Sequence, residues 1–192
     1  MRDFSLHIMD IIENGLNGGA TLIDLTVIEE RKNNCLRITI TDNGRGIPKD
    51  VLKKVLDPFY TTRVTRRVGL GLSLFREASK RCDGEFSIIS DEGKGTQVDA
   101  TFRLDHIDFP PMGDLASTMT TLIVGNPGVD FVYAHEVEGD TFQLDTRDIR
   151  EELDGVEISH PQVVKYIGDT IRESLAELRK GGNKYNGQTN YR

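Results

Sequence analysis

Asp10 and Asn14 lie four residues apart in a segment with helical apolar spacing, so both side chains emerge from one face about one turn apart. A carboxylate there can orient or deprotonate a water, and an Asn oxygen suits a hard cation such as Mg²⁺ bridging phosphates. Taken alone, the pair reads as a solvated polar stripe. A second signal follows where the apolar run Leu36–Thr41 leads into Asp42-Asn43-Gly44-Arg45-Gly46-Ile47. Gly44 and Gly46 allow a tight turn and a close approach, while a partly desolvated Asp42 can accept a bond from an exocyclic base amine. The same string also fits an ordinary Asx turn. A third signal is the segment 67–74, which sets Gly69 and Gly71 at a helix start, where exposed amides favour anions. Glycine close packing is the other reading. Thr96, in Glu92-Gly93-Lys94-Gly95-Thr96, adds a hydroxyl beside a hairpin turn.

The elements needed to position these groups are legible in the pattern. Residues 5–17 read as a half-buried helix with Leu6, Met9, Ile12 and Leu16 on one stripe. Ile23, Leu25 and Val27, then Leu36, Ile38 and Ile40, alternate as two strands around a Lys32-Asn33-Asn34 turn. A short helix over 50–56 follows Pro48. From Gly69 a second amphipathic helix carries Leu70, Leu74, Phe75 and Ala78 and closes at Asp83-Gly84, and strands over 86–90 and 97–104 complete the unit. Pro110, Pro111 and Gly113 mark a boundary, giving units at 1–104 and 113–180. The second unit reads as a helix (114–124), a hairpin (131–137 and 141–145) and helices over 148–153 and 161–178, with Gly181-Gly182 stopping the last and 181–192 a disordered tail.

The chain has 192 residues, 37% of them hydrophobic, and a formal charge of -7. That composition supports a globular core, and the negative charge disfavours a nucleic-acid partner. No apolar run reaches the length of a membrane span, and the acidic N-terminus does not suit a secretory signal, so a cytoplasmic address is expected. Cys35 and Cys82 form no CxxC pair and read as buried filler. His7, His106, His135 and His160 read as ordinary surface or capping histidines, not phosphoacceptors.

Taken in order, the segments DIIENGLNGGAT, DNGRGI, DPFYTTR, VGLGLSL and DEGKGTQVDATF resemble the asparagine, glycine and phenylalanine boxes of the histidine-kinase and gyrase ATPase superfamily across residues 5–104. The resemblance implies an α/β Bergerat fold, a two-layer α+β sandwich with helices on one face of a mixed sheet, here with a smaller C-terminal α+β unit. It also implies ATP and Mg²⁺ as cofactors. Asp42 would then bind the adenine amine with help from Thr96, and Asn14 would hold Mg²⁺. Gly44, Gly46 and Ile47 would shape the adenine pocket, Gly69, Leu70, Gly71 and Leu72 would lie against the phosphates, and Phe59, Thr62 and Arg63 would border the lid. Asp10, the candidate general base, stands where hydrolytic members carry Glu, so its shorter side chain argues against rapid hydrolysis. Arg67 and Cys82-Asp83 depart from the family pattern, and the lid between Arg63 and Gly69 is short, which implies modest affinity and rapid exchange. A sensor kinase presents its acceptor histidine on a helical hairpin ahead of this domain, whereas this sequence opens within the domain. The expected function is therefore a stand-alone kinase-like ATP-binding protein that phosphorylates or regulates a protein partner. The alternatives are a non-catalytic ATP-dependent switch in a larger complex, including a redox complex, and a slow self-contained ATPase.

Overall fold

The structure is a computed structural model that describes residues 3–55 and 70–183. The first helix, α1 (Phe4–Asn17), begins where the Asp3 carboxylate accepts a bond from the Leu6 amide at 3.0 Å. Next come β1 (Leu22–Glu30) and β2 (Cys35–Asp42), an antiparallel pair whose turn holds Asn34 at φ 53°. α2 (Lys49–Val55) and α3 (Leu70–Arg81) precede the hairpin of β3 (Phe86–Asp91) and β4 (Gly95–Arg103). The chain continues through α4 (Leu115–Gly125), β5 (Asp130–Val137), β6 (Asp140–Asp145), α5 (Thr146–Glu152) and α6 (Pro161–Asn183).

The described strands form one six-stranded sheet in the order β3-β4-β2-β1-β5-β6. Every neighbouring pair is antiparallel except β1 and β5, so the sheet is mixed. Alternation selects its faces. Leu25 pairs across with Ile40 and Tyr133, and Val27 with Ile38, placing buried residues on one side. That side is covered by Phe4, Ile8 and Ile12 of α1, Phe75 of α3, Met119 of α4 and Ile171 of α6. The other side carries Thr26, Thr39, Asp99 and Ser87 in one cross-strand row, with the Thr39 hydroxyl bonded to Asp99 at 2.6 Å. This is the expected two-layer α/β arrangement with helices on one face.

The β1–β5 pairing carries the sheet across the Pro110–Gly113 break, so residues 113–180 add an α+β layer to the same sheet. The break itself is strapped to α1, because the Phe4 and Ser5 amides donate to the Pro111 and Met112 carbonyls at 2.9 and 3.0 Å.

Four expectations are corrected. The buried stripe of α1 runs through Phe4, Ile8, Ile11, Ile12 and Gly15, while Leu6 is exposed, because apolar residues occupy more than one face of the helix and packing on the sheet selects the Phe4–Ile8–Ile12 row. In α3 the buried residues are Leu72, Ser73, Phe75 and Ser79, and Leu74 is exposed. Helix α6 continues through Gly181-Gly182 to Asn183, where a β-carbon on Gly181 would lie 3.1 Å from the Asp140 carboxylate, so glycine serves close packing there and not termination. Residues 184–192 of the expected tail lie outside the described residues. Finally, the histidine and cysteine readings change: His7 and His135 are buried rather than at the surface, His135 wholly so, and Cys35 is half-buried rather than core filler.

The environment of His135 explains its burial. Its Nε2 lies 3.0 Å from Glu29 Oε1 and its Nδ1 2.8 Å from the Tyr133 hydroxyl. A carboxylate only accepts, so Nε2 donates to Glu29, while Nδ1 shares a hydrogen bond with the Tyr133 hydroxyl. Burial pushes the Glu29 carboxyl upward, but the His135 bond and the nearby Arg179 and Arg31 outweigh it and hold the group below its ordinary value of 4.5. A lowered folded-state value stabilises the protein above the unfolded value and is lost as pH falls through the folded one. Glu29→Gln is therefore expected to lower stability at neutral pH by about 1–3 kcal/mol. It is also expected to flatten the acid limb of the stability profile, as urea unfolding at pH 7 and below pH 4.5 will measure.

Candidate functional site

The site forms where α1, the end of β2, the β3–β4 turn and the start of α3 converge. Asp42 ends β2, and its Oδ1 accepts a 2.8 Å bond from the Gly44 amide, with a second backbone bond from Thr96. Burial raises the Asp42 carboxyl above its ordinary value, against the lowering effect of those two amides. Two amide donors leave part of the carboxylate's acceptor capacity for a donor from a ligand.

The surrounding glycines form a cradle. A β-carbon on Gly15 would stand 2.9 Å from the Asp42 β-carbon, and one on Gly44 would stand 2.9 Å from Asp42 Oδ1. Gly95, at φ +103°, lies against the Asp42 backbone so closely that a β-carbon would overlap its carbonyl oxygen. Gly71 does the equivalent work at the helix start, where a β-carbon would stand 2.9 Å from that of Asp10. The start of α3 is thereby seated on the α1 face that carries Asp10 and, one turn on, Asn14.

The loop that follows Asp42 is pinned from three directions. Asn43 Oδ1 accepts from the Thr21 and Leu22 amides at 2.8 and 2.9 Å, and its Nδ2 donates to the Thr21 hydroxyl at 2.9 Å. The Arg45 amide donates to the Gly18 carbonyl at 3.0 Å. The Ile47 amide donates to Ser90 Oγ at 2.8 Å, and Ser90 lies 2.9 Å from the Thr96 hydroxyl. Gly46, at φ +68°, meets the Asp91 backbone. The loop is thus held by hydrogen bonds on both flanks before any ligand arrives.

Of the expected site residues, Asp10, Asn14, Asp42, Gly44, Gly46, Ile47, Gly71 and Thr96 fall in this region. Leu72 is core, 2% exposed, so only its backbone is available to a ligand. Leu70 opens α3. Phe59, Thr62, Arg63 and Gly69, with Arg67, lie outside the described residues. Sequence reasoning missed Gly15, Asn43 and Ser90. Gly15 reads as a helix-end glycine and Asn43 as a turn former, while nothing in a single sequence distinguishes Ser90 from a solvated strand serine.

The donor set fits an adenine nucleotide. It offers a half-buried carboxylate with spare acceptor capacity, a cradle that β-carbons would fill, and a glycine-lined helix start beside it. For Mg²⁺, no group of three or more His, Cys, Asp or Glu able to hold a metal occurs among the described residues. An ion at Asn14 would therefore take most of its oxygens from phosphates and water, a pattern that suits Mg²⁺.

Comparison with known proteins agrees with this geometry. Residues 3–106 match the model of the histidine kinase-, DNA gyrase B-, and HSP90-like ATPase family. The chain is 37% identical over 103 residues to a putative sensor protein of Shewanella frigidimarina (strain NCIMB 400), covering 53% of this chain and 16% of that protein. It is also 37% identical over 106 residues to the sensor histidine kinase WalK of Bacillus subtilis (strain 168), covering 50% of this chain and 17% of the kinase. The chain thus spans less than a fifth of the length of these relatives. The N-terminal domain of a DNA repair protein shares the fold, with a TM-score of 0.52 at 15% identity over 76% of this chain and 53% of that one. With the match spanning more than half of its residues, the chain belongs to the histidine kinase-, DNA gyrase B-, and HSP90-like ATPase family.

Proposed function

We propose that the chain binds ATP with Mg²⁺ between α1, the Asp42 loop and the start of α3, and acts in the cytoplasm as a kinase-like protein that phosphorylates a protein partner or regulates it through nucleotide state. The observation that carries this reading is Asp42. A carboxylate kept half-buried, with amides on one side and a glycine cradle around it, is suited to an exocyclic amine donor. Asp42 would bind that amine, and Thr96 would orient the carboxylate through its amide. Asn14 would supply one oxygen to Mg²⁺, and the α3 start at Gly71 would face the phosphates. Bound MgATP supplies a transferable phosphoryl group, and the protein's part is to position it. Asp10 sits beside Gly71, well placed to orient a water or an incoming hydroxyl, with a side chain one methylene shorter than glutamate. No helix among the described residues is long and apolar enough to cross a membrane. We assign residues 113–180, which extend the sheet on the side away from the β3–β4 hairpin, the role of facing the partner.

Incubating the purified chain with γ-labelled ATP and Mg²⁺ tests this reading. Turnover below about 1 per second and no stable label on the chain itself are expected. Faster turnover, or acid-labile label removed by replacing one histidine, would contradict it. Asn14→Ala is expected to shrink the difference between ATP affinity with Mg²⁺ and with a chelator. Equal wild-type affinity under both conditions would remove the metal role.

A further inference from the structure

A groove of about 380 Å³ lies at the β6 edge of the sheet, three strands from β2 and its Asp42 loop, bounded by β6, α5 and α6. Four consecutive residues of β6, Phe142 to Asp145, line it. Side chains alternate between the two faces along a strand, so a groove touched by all four residues follows the β6 backbone. The outer edge of β6 is unpaired among the described strands, since β6 is last in the sheet order. An unpaired edge offers amides and carbonyls to another extended chain.

The lining shows which chain would fit. Leu144, Ile149, Leu153, Val163 and Ile167 form an apolar floor, and Tyr166, 66% exposed, stands at its rim. The lining includes Asp145, Asp148 and Glu152 but no lysine or arginine. Arg147 already pairs with Asp145 at 2.6 Å. Asp148 and Glu152, exposed and four apart on α5, present two carboxylates on one helix face along the groove. An aromatic face beside two carboxylates on an apolar floor favours a cation carried on an apolar stem.

We propose that this groove binds an extended segment of a partner protein in which apolar residues alternate with lysine or arginine, and which adds to the sheet along β6. Backbone bonds to the edge would supply affinity and alternate side chains would supply specificity, the apolar ones on the floor, while the intervening cations, which leave the opposite face of the added strand, would bend their long stems back around its edge to Asp148 and Glu152. This site is separate from the nucleotide site and does not depend on its occupancy.

An array of capped heptapeptides tests the proposal, with valine or leucine at alternate positions and lysine, arginine, glutamine or glutamate between them. Lysine and arginine peptides are expected to bind about tenfold more tightly than glutamate peptides, and the doubly neutralised Asp148→Asn, Glu152→Gln protein to lose that preference. Both substitutions are at exposed positions, and the variant's unfolding midpoint will show that it is folded. Methylating the peptide's backbone nitrogens is expected to abolish binding, and bound peptide to slow amide exchange along Asp140–Asp145. Absence of binding by any array member at millimolar concentration would overturn the proposal. Equal binding of glutamate and lysine peptides, or tolerance of backbone methylation, would also overturn it.

Discussion

Asp42→Asn is expected to weaken ATP binding about tenfold or more, the equivalent of roughly 1–3 kcal/mol for a buried donor left without its acceptor. In the same protein, the nucleotide-free unfolding midpoint is expected to hold or rise at pH 7. The sign follows from the carboxyl itself. Burial raises its folded-state value above the ordinary 3.8, so its contribution is fully present below that value and is lost as pH rises through the folded one. At neutral pH the ionised group therefore works against folding, and an amide that keeps one acceptor for the Gly44 amide removes that opposition. Calorimetric titration and thermal unfolding of one preparation check both halves. A variant that loses ATP binding because it has unfolded would show a lower midpoint, so the two causes are distinguishable.

Gly95→Ala is expected to have the largest effect on stability of any single-methyl change near the site. At φ +103° an alanine is strained, and its β-carbon would overlap the Asp42 carbonyl, a backbone atom with no freedom to withdraw. Strain and overpacking together are expected to lower stability by about 3 kcal/mol or more, a large share of a typical domain's margin. Gly93, in the same turn at φ +79°, is the internal control, because a β-carbon there meets nothing within 4 Å. Gly93→Ala is expected to lower stability by only about 1–2 kcal/mol, the left-handed penalty alone. Urea unfolding of the two variants checks the ranking, and equal losses would mean that the close seating of the β3–β4 turn on Asp42 is not what requires glycine at 95.

The contrast between these two glycines shows what the sequence reveals. The strands are legible because Leu25, Val27, Leu36, Ile38 and Ile40 alternate on a one-sided sheet, and the Asp42 loop is legible because its carboxylate and glycines follow an apolar strand directly. Asp114 caps α4 by accepting from the Ser117 amide at 2.9 Å, a local signal readable at its own position. What was hidden depends on distant residues. The parallel pairing of β1 with β5 joins residues about a hundred positions apart through a crossover that leaves no local mark. His135 looks like a surface histidine until Glu29 and Tyr133 are brought beside it. The α1 stripe was misread because apolar residues occupy more than one face, and only packing on the sheet selects among them. Gly15 and Gly71 likewise acquire meaning only when Asp42 and Asp10 are set against them.

Calorimetric titration of the unaltered chain with ATP and with GTP, both in excess Mg²⁺, bears most directly on the claim that Asp42 reads an adenine amine. Guanine presents a carbonyl where adenine presents its amine, setting acceptor against acceptor. ATP is expected to bind about tenfold or more tightly than GTP. Equal affinities, or a preference for GTP, would contradict the account.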